Sequence, residues 1–205
     1  DARGERQIFN HRGDALDKAH ALDVRQLTGA RAVLVDPRWR AGALAALQWA
    51  KAHKVLSMLD ADVAPQADLR HLVPAAQWAV FSEPGLVCYA PHAASHADAL
   101  AEALAAGAQV AMVTLGERGV LWTRGQGLHT VPGFPVQALD TTGAGDVFHA
   151  ALTIALSELG ELGERGDETS AIRFAAAAAA LKCTQRYGVL GTPSRHQIAA
   201  FLLQN

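Results

Sequence analysis

The chain has little cysteine: two thiols, Cys88 and Cys183, in 205 residues. Two thiols in a chain this long exclude the disulfide framework of small secreted domains, and they read as reduced cysteines of a cytoplasmic protein. Long apolar runs are missing as well. The most uniform one, Phe174 to Leu181, is a short alanine tract, well under the roughly 20 residues a membrane-spanning helix needs. The N-terminus, Asp1-Ala2-Arg3-Gly4-Glu5-Arg6, has no initiator Met and no apolar core of a signal peptide. No charge predominates: 18 Lys and Arg face 20 Asp and Glu, for a net charge of −2. Neither nucleic acid nor an anionic membrane is therefore expected as a partner. The nine histidines show no metal-ligand spacing. His92 and His96 lie one helical turn apart but bring no clear third ligand, so no zinc site is expected.

What is present is an alternation of strand-like and helix-like segments. Half the residues are hydrophobic and 19% are charged, an ordinary composition for a globular chain whose length suits one domain or one domain with a small appendage. Arg31 to Asp36, Lys54 to Asp60, Trp78 to Phe81 and Val110 to Leu115 are short apolar runs and read as buried strands. Between them, Arg40 to His53, Leu69 to Ala76 and Ala97 to Ala106 read as helices, the last capped by Ser95 and ended by Gly107. This order predicts an α/β fold with a mainly parallel sheet covered by helices on both faces. Gly119 to Thr123 and Leu128 to Val131 then read as a hairpin. Three more helices follow, over about Ala144 to Leu159, Thr169 to Gln185 and Ser194 to Leu203. Trp78, Trp122 and Phe148 are expected in the core, and Trp39 and Trp49 half-exposed on a helix.

The chemistry is concentrated in Asp140-Thr141-Thr142-Gly143-Ala144-Gly145-Asp146-Val147-Phe148. Gly143 and Gly145 permit a tight bend without side chains in the way. The amides at the start of the coming helix are then free to converge on one spot, which suits negative charge. Asp146 falls in the first turn of that helix, and two readings of it stand. It is a helix-capping carboxylate, or it is a general base beside an anion hole, taking a proton from an attacking hydroxyl. The run is neither a dinucleotide fingerprint nor the Gly-Lys-Ser/Thr loop of the large NTPase class.

The stretch DTTGAGDVFHAAL resembles the C-terminal signature of the ribokinase-like (pfkB) carbohydrate kinases. The resemblance implies a three-layer αβα sandwich with a mainly parallel central sheet. It implies ATP-dependent phosphorylation of a sugar hydroxyl, with Asp146 as catalytic base and the backbone of Gly143, Ala144 and Gly145 as anion hole. Asp140 and Thr142 match positions that help bind a monovalent cation such as K+. Val113 to Val120 is similar to the segment lining the ATP site, which puts Thr114, Gly116 and Gly119 beside nucleotide. Cys183 to Thr192, with Cys183 and Gly188, takes the place of the loop closing the adenine and cation site. The family commonly carries Asn-x-x-Glu after the third strand, where it organises Mg2+. Here Ser82 and Gly85 stand at those two positions, and Glu83 is the substitute carboxylate expected to act on the metal.

The resemblance covers the last two thirds of the family pattern. Residues 1–12 resemble a remnant of the lid and its β segment, and residues 13–205 the nucleotide-binding and catalytic domain. The first strands of the sheet, most of the lid and the sugar-gripping Asp have no counterpart in the chain. A protein starting at Asp1 is expected to expose a sheet edge and an apolar face. The sugar expected is a ketohexose or a related compound. A nucleoside or vitamin-precursor kinase of the same superfamily and a non-catalytic nucleotide-binding remnant are the alternatives. Lid-to-lid pairing makes a homodimer the oligomer the resemblance implies. His149, one turn after Asp146, is expected to pack.

Overall fold

Four of the apolar runs become four parallel strands. In the computed structural model, which describes residues 21–161, 168–186 and 191–205 and leaves the side chains of 160 and 161 aside, these are β1 (Ala32–Val35), β2 (Leu56–Ala61), β3 (Trp78–Ser82) and β4 (Val110–Thr114). They pair in chain order, so that Leu34, Met58, Trp78 and Val110 form one row across the sheet. Two further strands, β5 (Val120–Thr123) and β6 (Leu128–Val131), follow β4, giving the six-strand order β1-β2-β3-β4-β5-β6. The expected lid remnant, residues 1–12, lies outside the described residues.

The described chain divides into two compact units. The first comprises residues 21–115 and 121–130. Parallel neighbours need crossovers, supplied by α1 (Arg40–His53), α2 (Gln66–Leu72), α3 (Glu83–Tyr89) and α4 (His96–Ala106). β3 and β4 are buried at every position but the last, as expected of parallel strands inside an α/β fold. Leu47, Leu59, Leu69, Phe81, Tyr89, Leu100 and Val113 are fully enclosed in one cluster. Trp78 and Trp122 are in the core, and Trp39 and Trp49 are half-buried, as the sequence predicts.

Local chemistry explains where the boundaries differ from expectation. β2 begins two residues late because Lys54 takes φ 56 as the left-handed cap of α1, and the Val55 N–H donates back to the Ala50 carbonyl at 2.9 Å. α2 ends at Leu72 and passes into a 3-10 turn, Val73–Ala75, since Pro74 has no N–H to continue the helix. α3 was not anticipated from the sequence. Ser82 caps it by accepting the Gly85 N–H at 3.0 Å. Proline is tolerated in a first turn, where the amide has no helical partner anyway.

The second unit comprises residues 116–120 and 131–205. Its helices are α5 (Ala144–Glu161), α6 (Glu168–Cys183) and α7 (Arg195–Leu202), within two residues of expectation. α6 buries Ala171, Ile172, Ala175, Ala177 and Ala178, small side chains that let its neighbour α5 approach closely. α7 opens on a capping box between Ser194 and Gln197, and Phe201 meets Phe134 edge-on at 5.2 Å. Among the described residues no helix is long and apolar enough to cross a membrane.

Candidate active site

The bend ahead of α5 is built by hydrogen bonds from its own residues. The Asp140 carboxylate Oδ1 accepts the Thr142 N–H at 2.8 Å, and the Thr141 carbonyl accepts the Ala144 N–H at 3.2 Å. Gly143 turns the chain at φ 75, a conformation L-residues seldom adopt. From Val147, whose N–H reaches the Gly143 carbonyl at 3.0 Å, ordinary helical bonding takes over.

That arrangement leaves the amides of Gly143, Gly145 and Asp146 without a hydrogen-bond partner among the described residues. Ala144, expected in the anion hole, instead spends its N–H closing the turn. The free donors are therefore those on either side of it. A Cβ built on Gly145 would meet nothing within 4 Å, so internal packing gives no reason for glycine there. Unpaired donors at a helix N-terminus, with open space before them, are what an incoming oxyanion requires.

Asp146 is exposed, and its Oδ2 lies 3.7 Å from where a Gly143 Cβ would sit. Its carboxylate accepts no hydrogen bond and forms no ion pair among the described residues. It does not cap the helix with a side-chain hydrogen bond, although a carboxylate in the first turn of α5 suits the positive end of the helix dipole. His149 is buried, 3% exposed, and its Nδ1 lies 2.7 Å from the Gly145 carbonyl. A carbonyl can only accept, so Nδ1 carries the proton. The packing role expected of His149 thus includes fastening the first turn of α5.

The base of the bend is tied to the end of α6. The Cys183 carbonyl accepts the N–H of Leu139 at 2.7 Å and of Asp140 at 3.1 Å. Lys182, 1% exposed, donates from Nζ to the Asp140 carbonyl at 3.3 Å. The burial of this lysine was not legible in the sequence. Cys183 is half-buried and forms no disulfide among the described residues. Gly188 lies outside the described residues.

Other expected nucleotide positions have separate explanations. Gly116 is exposed at φ 60, opens a 3-10 turn, and has nothing within 4 Å of a built Cβ. Gly119 is different: at φ 89, a Cβ there would collide with the Val131 carbonyl and the backbone of Pro132 and Gly133. Its glycine is a requirement of packing. In the first unit, Thr114 ends β4, half-buried, with its hydroxyl donating to the Phe81 carbonyl at 3.3 Å.

Glu83 opens α3, also in the first unit, and its Oε1 lies 3.1 Å from His96 Nε2. Ser82 donates to Asp62 Oδ1 at 2.7 Å. Gly85, at the family's Glu position, has no room for a side chain, since a Cβ would strike the Ala61 carbonyl. No cluster of three or more His, Cys, Asp or Glu side chains is arranged to hold a metal among the described residues. Glu83 is a single carboxylate, which suffices for an ion that keeps most of its waters.

The model of the pfkB family of carbohydrate kinases matches residues 1–195, and the chain belongs to that family. It is 38% identical over 103 residues to a ribokinase of Bacillus subtilis, a match covering 50% of this chain and 33% of that one. A fructokinase of Vibrio alginolyticus is 30% identical over 139 residues, 68% of this chain and 45% of its own. A ribokinase-like crystal structure from Agrobacterium tumefaciens superposes with a TM-score of 0.86 at 35% identity, over 100% of this chain and 66% of that one. The chain thus has the ribokinase-like α/β fold and spans less than two thirds of the length of these relatives.

Proposed function

We propose that the chain supplies the nucleotide-binding and phosphoryl-transfer part of an ATP-dependent sugar kinase. The observation that carries this reading is a set of three amides, Gly143, Gly145 and Asp146, unpaired among the described residues, beside the Asp146 carboxylate, which makes no hydrogen bond there. In the reaction, a sugar hydroxyl oxygen attacks the γ-phosphorus of ATP, the bond to the β-phosphate oxygen breaks, and ADP leaves. Asp146 takes the hydroxyl proton. The amides and the positive end of α5 stabilise the negative charge carried by the transferred group, in a geometry fixed before substrate arrives. Mg2+, when bound, neutralises charge on the phosphate oxygens, and Glu83 is the carboxylate that would hold its water shell. The acceptor we favour is a ketohexose or a related sugar.

Asp146→Asn tests the assignment, because it keeps the size and the helix start but removes the base. MgATP affinity measured by calorimetry should stay within about threefold of wild type. ADP release against a panel of ketohexoses, pentoses and nucleosides should fall by roughly 10²–10⁴-fold. Wild-type turnover in the variant would remove Asp146 from the base role. MgATP binding by the wild-type chain without turnover on any acceptor would favour a non-catalytic nucleotide-binding protein.

A further inference from the structure

We propose that a cleft at the N-terminal ends of β2, β3 and β4 binds a small phosphomonoester through Lys51 and Lys54. The cleft lies wholly in the first unit and encloses about 250 Å³, the volume of roughly eight waters. Ser57 is the second residue of β2, and Gln77 and Gln109 immediately precede β3 and β4. Glu83 and Thr114 stand at the other ends of β3 and β4, five residues away along the strands, or about 16 Å. The cleft is therefore separate from the positions expected beside nucleotide and metal, and the proposal does not depend on the kinase reading.

Charge selects the ligand. Two lysines line the cleft and no acidic residue does. Neither ammonium has a hydrogen-bond or ion-pair partner among the described residues. A cation suits the C-terminus of α1, but end carbonyls there are already taken: Ala50 and Lys51 accept the Lys54 N–H, and Ala50 accepts the Val55 N–H as well. Lys54 is also the one non-glycine residue at positive φ among the described residues. Glycine is the usual residue at such a cap, so the backbone does not explain the choice of lysine. The neutral lining adds donors. Ser57 is 2% exposed, its Oγ accepts the Gln77 N–H at 3.1 Å, and its own hydroxyl proton goes to no acceptor among the described residues. The side-chain amides of Gln77 and Gln109 are unpaired in the same sense. These groups suit the hydroxyls of a small polyol ester. The two lysines are three residues apart at one helix end, close enough to share one group. A phosphomonoester puts about −1.5 to −2 charges on that group at pH 7, whereas a dicarboxylate splits its charge between two.

The test titrates the purified chain with glycerol phosphate, glycerol and malate at fixed ionic strength, by calorimetry and by amide NMR. Glycerol phosphate should bind with a Kd of about 1 mM or lower, and glycerol and malate at least about fivefold more weakly. The signals of Ser57, Gln77 and Gln109 should move with the phosphate ester. Lys54→Gly should raise the thermal midpoint by roughly 1–2 °C, because glycine takes the left-handed cap without strain. It should nonetheless weaken glycerol phosphate at least about fivefold, as should Lys51→Met. Since Lys54→Gly favours the folded state, its lost affinity cannot be ascribed to unfolding. Unchanged affinity in both variants overturns the proposal, and so does malate binding more tightly than glycerol phosphate. Shifts confined to Gly143, Gly145 and Asp146 overturn it as well, while leaving the kinase reading in place.

Discussion

Replacing Gly145 with alanine separates what the fold needs from what a ligand needs. Gly145 is the second residue of α5, is not among the positive-φ glycines, and has nothing within 4 Å of a built Cβ. By the packing of the protein alone the substitution should help. Alanine loses less backbone entropy than glycine in a helix, worth about 0.5–1 kcal/mol in an interior position. In a first turn about 0.5 kcal/mol is a fair value, which for a chain of this size raises the melting temperature by roughly 1–2 °C. The added methyl group nevertheless enters the open space beside an amide that is unpaired among the described residues, where on the kinase reading a phosphate oxygen comes within about 3 Å of nitrogen. MgATP affinity should then fall at least about tenfold, or about 1.4 kcal/mol. Calorimetric melting and MgATP titration on the same preparation give both numbers. A Gly145→Ala protein that binds MgATP as tightly as wild type would show that no phosphate approaches this bend. One that is destabilised by more than about 1 kcal/mol would show that the space around Gly145 is not open in the folded protein.

Gly119→Ala should do the opposite. The new methyl meets the Val131 carbonyl and the backbone of Pro132 and Gly133 at φ 89, so the loss should be about 3 kcal/mol, read as a melting temperature lower by roughly 6–12 °C; a fall of less than about 2 °C would refute the close approach. Tyr89→Phe removes a fully buried hydroxyl that meets no hydrogen-bond partner at good geometry among the described residues, although the Arg70 charge acts on it. The ring itself stays under the Arg70 guanidinium, 4.3 Å from its centroid. Urea unfolding should therefore show stability unchanged or raised by up to about 1 kcal/mol; a loss of more than that would mean the hydroxyl has a partner in solution.

Much of the fold was legible because parallel sheets are written in short apolar runs. β3 and β4 were located to within a residue from β-branched and aromatic content alone, and α4 from its Ser95 cap and terminal Gly107. The errors fall where one backbone bond outweighs composition. Lys54 delays β2 by taking a left-handed cap, and Ser82 starts α3 in front of a Pro-Gly pair. In the candidate site, the position of Asp146 and the presence of an amide-lined bend were both legible from glycine spacing. Which amides are free was not, since the Thr141–Ala144 bond that excludes Ala144 depends on the turn geometry. Lys182 was hidden for a different reason: burial of a lysine is set by what packs over a helix end, and no local pattern encodes it.

The glycines carry the strongest argument about what this site is for. A glycine at Gly119 or Gly85 is explained by a backbone carbonyl where its Cβ would be, and one at Gly143 by its φ. Gly145 has neither reason, yet it costs helix stability. Asp146 neither caps α5 nor pairs with a cation among the described residues, although its charge suits the positive end of the helix. In a folded chain, residues that forgo available stability mark places where something other than folding sets the choice. Here Asp146 adjoins such a residue, and the amide between them is unpaired among the described residues. On the kinase reading proposed above, the partner accepts hydrogen bonds from that amide and gives up a proton to that carboxylate. A phosphate beside an attacking hydroxyl meets both conditions, and a phosphate alone meets only the first.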